Sequence, residues 1–237
     1  VKALLLSLQF MTRLPLPSCK AETRDYAAAI RWFPAAGLVV GAGVAGAAWA
    51  GAQRDPWAGA LCGLLAWVGL TGALHLDGLG DVADGAGAAH GNRERLSAVL
   101  ADPHIGSFGV VAIVLQLLCK LVLLRMALPG AGMVALCLIP AIARTGPIAW
   151  ALTLPPLHEG MGTLFRAGAS WPAFALWVVA LGVPLIRDIA VAPAMLIGFV
   201  AWHRWVFTRL GGISGDSHGA GIELAETIGL AALVLCR

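Results

Sequence analysis

The stretch ALCGLLAWVGLTGALHLDGLGDVADGAG, residues 60–87, runs through seventeen positions without a charge and then places Asp77, Asp81 and Asp84 within eight. Such a run reads as part of a membrane-spanning helix. Carboxylates gathered at its end are costly near lipid unless something binds them. The rest of the chain agrees with the first half of that statement. Of 237 residues, 59% are hydrophobic and 12% charged, with a mean hydropathy of +0.83. An ordinary soluble domain has roughly 45–50% apolar and about 25% charged residues. Nine tryptophans against one tyrosine suit interfacial anchors. A net charge of +3 is too small to imply nucleic acid.

A span needs about twenty apolar residues. The candidates are 32–52, 57–76, 106–126, 130–153, 171–187, 189–208 and 219–236. The expected fold is therefore all-α, a polytopic helical bundle of about seven transmembrane helices. No repeat or linker divides the chain, so one domain over 1–237 is expected. "VKALLLSLQFMTRLPLP" has too short an apolar stretch and no cleavage motif for a signal peptide. It reads as an amphipathic segment against the membrane, ended by Pro15 and Pro17. The five scattered cysteines show no metal or disulfide spacing. With the N-terminus inside, ten basic residues fall on the cytoplasmic side and five on the other. The loops expected at 77–105 and 209–218 then face the cytoplasm.

Asp77, Asp81 and Asp84 are spaced i, i+4, i+7, one face of a helix. Three carboxylates together repel unless a cation or proton lies between them. A hard divalent ion, Mg2+ above all, is the economical solution, since it binds through one or two carboxylates and shares itself with phosphates. A solvated acidic loop is the plainer alternative. Downstream, Arg93 and Arg95 balance acids or grip phosphate, and "DPHIGSFG" (102–109) sets Asp102, His104 and Ser107 at the entrance to the next span. A helix start there would offer free amides to an anion. "GGISGDSHGAGIELAET" (211–227) repeats the recipe with Ser214, Asp216 and His218, followed by Glu223 and Glu226. Arg144 lies deep in an apolar stretch and must face an interior partner, whereas Lys120 and Arg125 are expected to snorkel. "GLVVGAGVAGAAWAG" reads as helix packing, not as a dinucleotide fingerprint.

Taken in order, "FMTRLPLP" (10–17), "RWFPAAGLVVG" (31–41), "TGALHLDGLGDVADG" (71–85), "DPHIGSFG" and "GGISGDSHGA" (211–220) resemble the cobalamin synthase family over nearly the whole chain. That family is the adenosylcobinamide-GDP ribazoletransferases. The resemblance implies a multi-pass enzyme of the bacterial inner membrane, magnesium-dependent, with its site facing the cytoplasm. It implies transfer of phosphocobinamide from adenosylcobinamide-GDP to α-ribazole or its 5′-phosphate, with release of GMP. The metal would rest on Asp77, Asp81, Asp84 and Asp216, with Asp84 or His104 handling the hydroxyl proton. Arg13, Arg31, His75, Arg93, Asp102, Ser107 and Ser214 are the candidates for holding substrate. The chain departs from the family pattern at His104, Ser214 and the Ser217–His218 pair. The lipid bilayer and the two substrates are the expected partners, and a homo-oligomer is left open. Two other readings use the same residues: a CDP-alcohol phosphotransferase, and an ion or proton transporter carrying charges near mid-span of several helices.

Overall fold

The computed structural model describes residues 1–89, 96, 104–128, 132–157 and 159–236. Among these the regular secondary structure is helical, and one isolated β-bridge joins Pro156 to Ile213. The first helix, α1 (Lys2–Met11), stops before the prolines, and α2 (Thr23–Ala29) leads through a short 3-10 turn into α3 (Phe33–Ala52). After α4 (Pro56–Thr71) and α5 (Leu74–Ala89) come α6 (Ser107–Ala127), α7 (Met133–Ala143), α8 (Gly146–Thr153) and α9 (Met161–Gly168). The chain closes with α10 (Trp171–Gly182), α11 (Val191–Arg209) and α12 (Gly215–Leu235). Among the described residues five helical stretches are long and apolar enough to cross a membrane, or up to seven if two bent pairs each count as one span. The protein is a multi-pass membrane protein.

Several boundaries differ from the sequence expectation. The expected span 57–76 is not straight: α4 and α5 meet at 84°. The bend is local chemistry, since Gly72 (φ 61°) and Ala73 (φ 59°) are both left-handed. Gly72 adopts this freely, whereas an alanine there costs about 1–2 kcal/mol. The loop expected from residue 77 is instead helix through Ala89, so the aspartates stand on a defined face. The expected span 171–187 is helical only to Gly182 and continues as 3-10 helix. Met133–Thr153 is one stretch interrupted at Arg144 and Thr145, where α7 gives way to α8.

Helix α12 is the axis of the bundle, packed by α5, α6, α7, α8 and α11. Two thirds of its span is buried (67%), against 22% for α6, whose Val111, Leu115, Leu118 and Val122 point outward to lipid. The glycine-rich α3 does pack by close approach. A Cβ at Gly41 would collide with the Cys137 carbonyl of α7, so the two backbones touch there. The N-terminal α1 is not free on the surface either. It buries Leu6, Ser7 and Met11 against α2 and α3.

Candidate active site

The α5 helix displays Asp77, Asp81 and Asp84 on one face, running from exposed through half-buried to buried. Its neighbour α12 begins with a reciprocal cap. The Ser214 hydroxyl accepts from the Ser217 amide at 3.2 Å, and the Ser217 hydroxyl accepts from the Ser214 amide at 2.7 Å. Such a cap is worth about 1 kcal/mol. The bridge from Ile213 to residues 155–157 fixes the approach to it, with backbone bonds of 2.8 and 2.9 Å. Asp216 follows in the first turn. At Gly78 the two helices touch, for a Cβ there would lie 2.7 Å from the Asp216 carbonyl oxygen. The two acidic groups therefore share one cleft, and the charges facing Asp81 are those of Asp77, Asp216 and Asp84.

Asp84 is placed differently from the other two on α5. Its carboxylate accepts from the Gly106 amide at 2.6 Å and the Gly109 amide at 2.9 Å. The anion held at the start of α6 is thus the chain's own Asp84, where an incoming phosphate was expected. A Cβ at either glycine would strike the carboxylate, which explains the glycines of "GSFG". Ser107 opens α6 beside this clamp with its side chain exposed, and His104 lies exposed just before it. Arg93, Arg95 and Asp102 lie outside the described residues.

Arg13 comes to the α4–α5 bend. Its backbone amide donates to the Leu70 carbonyl at 2.7 Å, and its side chain lies over Gly72 at the α4–α5 bend. Arg31 is placed elsewhere, its guanidinium donating to the Gly168 carbonyl while its own carbonyl accepts from the Trp177 indole at 2.7 Å. Ser214 is occupied as the α12 cap, 3.5 Å from Asp216.

His75 is buried between two partners. Arg144 approaches its Nδ1 at 3.3 Å and the Met11 sulfur its Nε2 at 3.3 Å. A guanidinium can only donate, so Nδ1 accepts and the ring proton sits on Nε2. Arg144, fully buried, also donates to Glu226 at 2.8 Å and to the Pro140 carbonyl at 2.8 Å. The interior partner demanded by its position is Glu226. Lys120 corrects the snorkelling expectation. It is 2% exposed, pairs with Glu223 at 2.7 Å and Glu226 at 2.6 Å, and lies 4.3 Å from the Trp67 ring centroid. Gln116 completes the knot by donating to Glu223 and Thr227, both at 2.8 Å. Arg125 is half-buried over Trp57. Sequence reasoning named Glu223 and Glu226 but missed the network, because nothing in chain order pairs them with Gln116 and Lys120 of another helix. The available signal was their i, i+4 and i, i+3 spacing, which puts each pair on one helix face.

A cavity of about 80 Å³ adjoins the acidic cleft, its lining including Asp77, His75, Asp216 and His218 together with Phe10, Phe33 and Phe165. The three phenylalanines form one cluster with ring centroids 5.2–5.8 Å apart. His218 is 6% exposed and stacks on Trp150, yet neither ring nitrogen has a hydrogen-bond partner. An unmet buried polar group costs about 1–3 kcal/mol.

The donor set suits a hard cation in its chemistry, being carboxylate oxygen throughout. Among the described residues no three His, Cys, Asp or Glu side chains converge into a ready ligand group. Magnesium takes one or two carboxylates and completes its shell with water and phosphate.

Comparison with known proteins bears on what this site serves. The family model described as cobalamin-5-phosphate synthase matches residues 3–234. The adenosylcobinamide-GDP ribazoletransferase of Novosphingobium aromaticivorans is 53% identical over 234 residues, covering 96% of this chain and 94% of that protein. The protein of the same name from Thiobacillus denitrificans is 48% identical over 237 residues, covering 97% and 94%. That of Pseudomonas aeruginosa strain PAO1 is 38% identical over 243 residues, covering 99% and 98%. No solved structure matches the chain.

Proposed function

The chain belongs to the cobalamin-5-phosphate synthase family, and we propose that its α5–α12 cleft transfers phosphocobinamide from adenosylcobinamide-GDP to α-ribazole or its 5′-phosphate, releasing GMP. The observation that carries this assignment is the contact at Gly78, which brings Asp77 and Asp81 of one helix against Asp216 of another. The activity itself follows from full-length identity of up to 53% to proteins named for it.

In this reading Asp77, Asp81 and Asp216 hold magnesium. A cation held there would supply charge neutralisation to the diphosphate of the donor. Arg13, fixed over the α4–α5 bend, offers a guanidinium to the phosphates. Asp84 does not hold the metal directly but locks the start of α6 to the acidic face, and so sets where His104 and Ser107 stand. His75, oriented by Arg144, closes the inner wall of the cleft. The whole chain acts as one membrane-embedded domain. The basic-residue count supports a site on the cytoplasmic side of the inner membrane, where nucleotides are available.

The rival readings lose support for particular reasons. Charges do lie inside the bundle, as a transporter requires, but two cations close on two anions there. A CDP-alcohol enzyme shares the metal chemistry, and product analysis separates it. Purified protein given adenosylcobinamide-GDP, α-ribazole and magnesium is expected to form GMP. Release of CMP from a CDP-alcohol, with no GMP from the corrinoid donor, would overturn the assignment.

A further inference from the structure

A second, roomier pocket lies beside the acidic cleft, and the transfer chemistry above leaves it unused. It opens between α1, α2 and α9, holds about 270 Å³, and is lined by Leu6, Gln9, Phe10, Tyr26, Ala29 and Phe165. Phe10 and Phe165 also line the smaller cavity that Asp77 and Asp216 border, so one aromatic layer separates the pocket from the acidic cleft. The two rings meet edge to face at 5.3 Å, and Phe165 is fixed from behind by Phe33 at 5.2 Å. Phe10 and Tyr26 are 39% and 42% exposed, so aromatic surface is left open on this wall. Such a wall is a stacking platform for a flat heterocycle. A cavity of roughly 150 Å³ admits benzene, with six heavy atoms. A fused bicyclic base bearing two methyl groups has eleven, which scales that figure to about 275 Å³.

We infer that this pocket seats the base of the acceptor nucleoside, stacked on Phe10 and Tyr26, with its ribose extending past the Phe10–Phe165 layer towards Asp77 and Asp216. The inference rests on the transfer reaction assigned above. Three bases enter that reaction: the acceptor's own, the guanine of the donor, and the adenine of the donor's adenosyl group. Both purines carry hydrogen-bonding atoms around most of their edge, and each atom buried without a partner weakens binding. The pocket has little to offer them. Gln9 and Tyr26 are the polar side chains among its lining, and Gln9 already donates to the Pro17 carbonyl at 2.8 Å. The base of α-ribazole, a dimethylated benzimidazole, has one free ring nitrogen and is otherwise apolar, as this wall is. A corrin is far too large to enter. Phe10 and Tyr26 bind and orient in this account, and no proton transfer is assigned to either.

The test is steady-state kinetics of the purified full chain carrying Tyr26→Ala, at an exposed position of α2 that does not line the cavity beside the aspartates. The KM for α-ribazole is expected to rise about tenfold, the scale of one lost base–aromatic stack. The KM for adenosylcobinamide-GDP should stay within about twofold of wild type, because the donor makes no contact there. Tyr26→Phe, which keeps the ring, should recover most of the loss. An unchanged acceptor KM overturns the inference. So does a donor KM that rises as much as the acceptor's or more, which would give the pocket to a purine. If Tyr26→Ala does not fold, Phe10→Leu probes the adjoining ring: a rise in the acceptor KM alone supports the seat, and any other result refutes it. If wild type forms no GMP, the reaction assignment is what fails. Direct titration of α-ribazole into wild type and Tyr26→Ala then judges the pocket alone. Tighter binding to wild type supports it, and equal or absent binding refutes it.

Discussion

Asp216 and Glu223 stand seven residues apart on α12, roughly 10 Å along one helix face, and the protein surrounds them in opposite ways. Glu223 and its neighbour Glu226 are met by Lys120, Arg144 and Gln116 at 2.6–2.8 Å. Asp216 faces the α5 carboxylates across the cleft, and among the described residues no ion pair reaches Asp77 or Asp81. The inner group is electrically complete and ties α4, α5, α6, α7 and α12 together through Trp67, His75, Lys120, Arg144 and the glutamates. In the outer group like charges crowd, with Asp77, Asp84 and Asp216 all facing Asp81. Burial with opposite charge beside each group marks structure, and crowding of like charge at a cleft marks a place for something that arrives.

Breaking each group should therefore fail in a different way. The largest effect on the fold is expected from Arg144→Met, which leaves Glu226 half-compensated in the bundle. Removing one partner of a buried pair costs about 3–5 kcal/mol. Thermal unfolding in detergent should drop sharply, and activity should vanish with the folded protein. Asp77→Asn and Asp216→Asn should do the reverse. Turnover is expected to fall by about 10²–10³-fold, the scale for losing one electrostatic contact to the transition state. Unfolding measured without metal should be unchanged or slightly raised, since a repulsion is relieved. Asp84→Asn should lie between the two, because it loses a charged acceptor shared by two amides. A stability loss of about 1.5–3 kcal/mol is expected, together with reduced turnover. Smallest is Ala73→Gly at the 84° bend, expected to stabilise by up to about 1 kcal/mol with turnover unchanged. A destabilised Ala73→Gly would mean that its methyl packs better than the left-handed strain costs.

The outer group was legible in the sequence and the inner one was not, for a physical reason. Asp77, Asp81 and Asp84 interrupt an apolar run among glycines, so their cost is visible in one dimension. Lys120 looks the same in sequence whether it faces lipid and snorkels or faces Glu223, because only the rotation of α6 about its axis decides. Arg144 was readable because mid-span burial leaves no route to water. The fold class and most spans followed from hydropathy. The turn at Gly72–Ala73 did not, since a left-handed alanine is set by tertiary contact against its own preference. Asp84 was placed on the right face, but its two amide partners were not foreseen, because the helix start it caps lies 22 and 25 residues away. His218 stood out only as a departure from the family pattern, and its unmet nitrogens are visible only once α12 is packed.

The contrast between the two acidic groups is tested most directly by Mn2+ binding, followed by electron paramagnetic resonance as a stand-in for magnesium. Four proteins are compared, wild type, Asp77→Asn, Asp216→Asn and Glu223→Gln, each with and without adenosylcobinamide-GDP. The account predicts that the nucleotide donor tightens Mn2+ binding to wild type and to folded Glu223→Gln, and that either aspartate substitution abolishes this tightening. Donor-dependent binding that survives in both aspartate variants, or that disappears in a Glu223→Gln protein that remains folded, would contradict it.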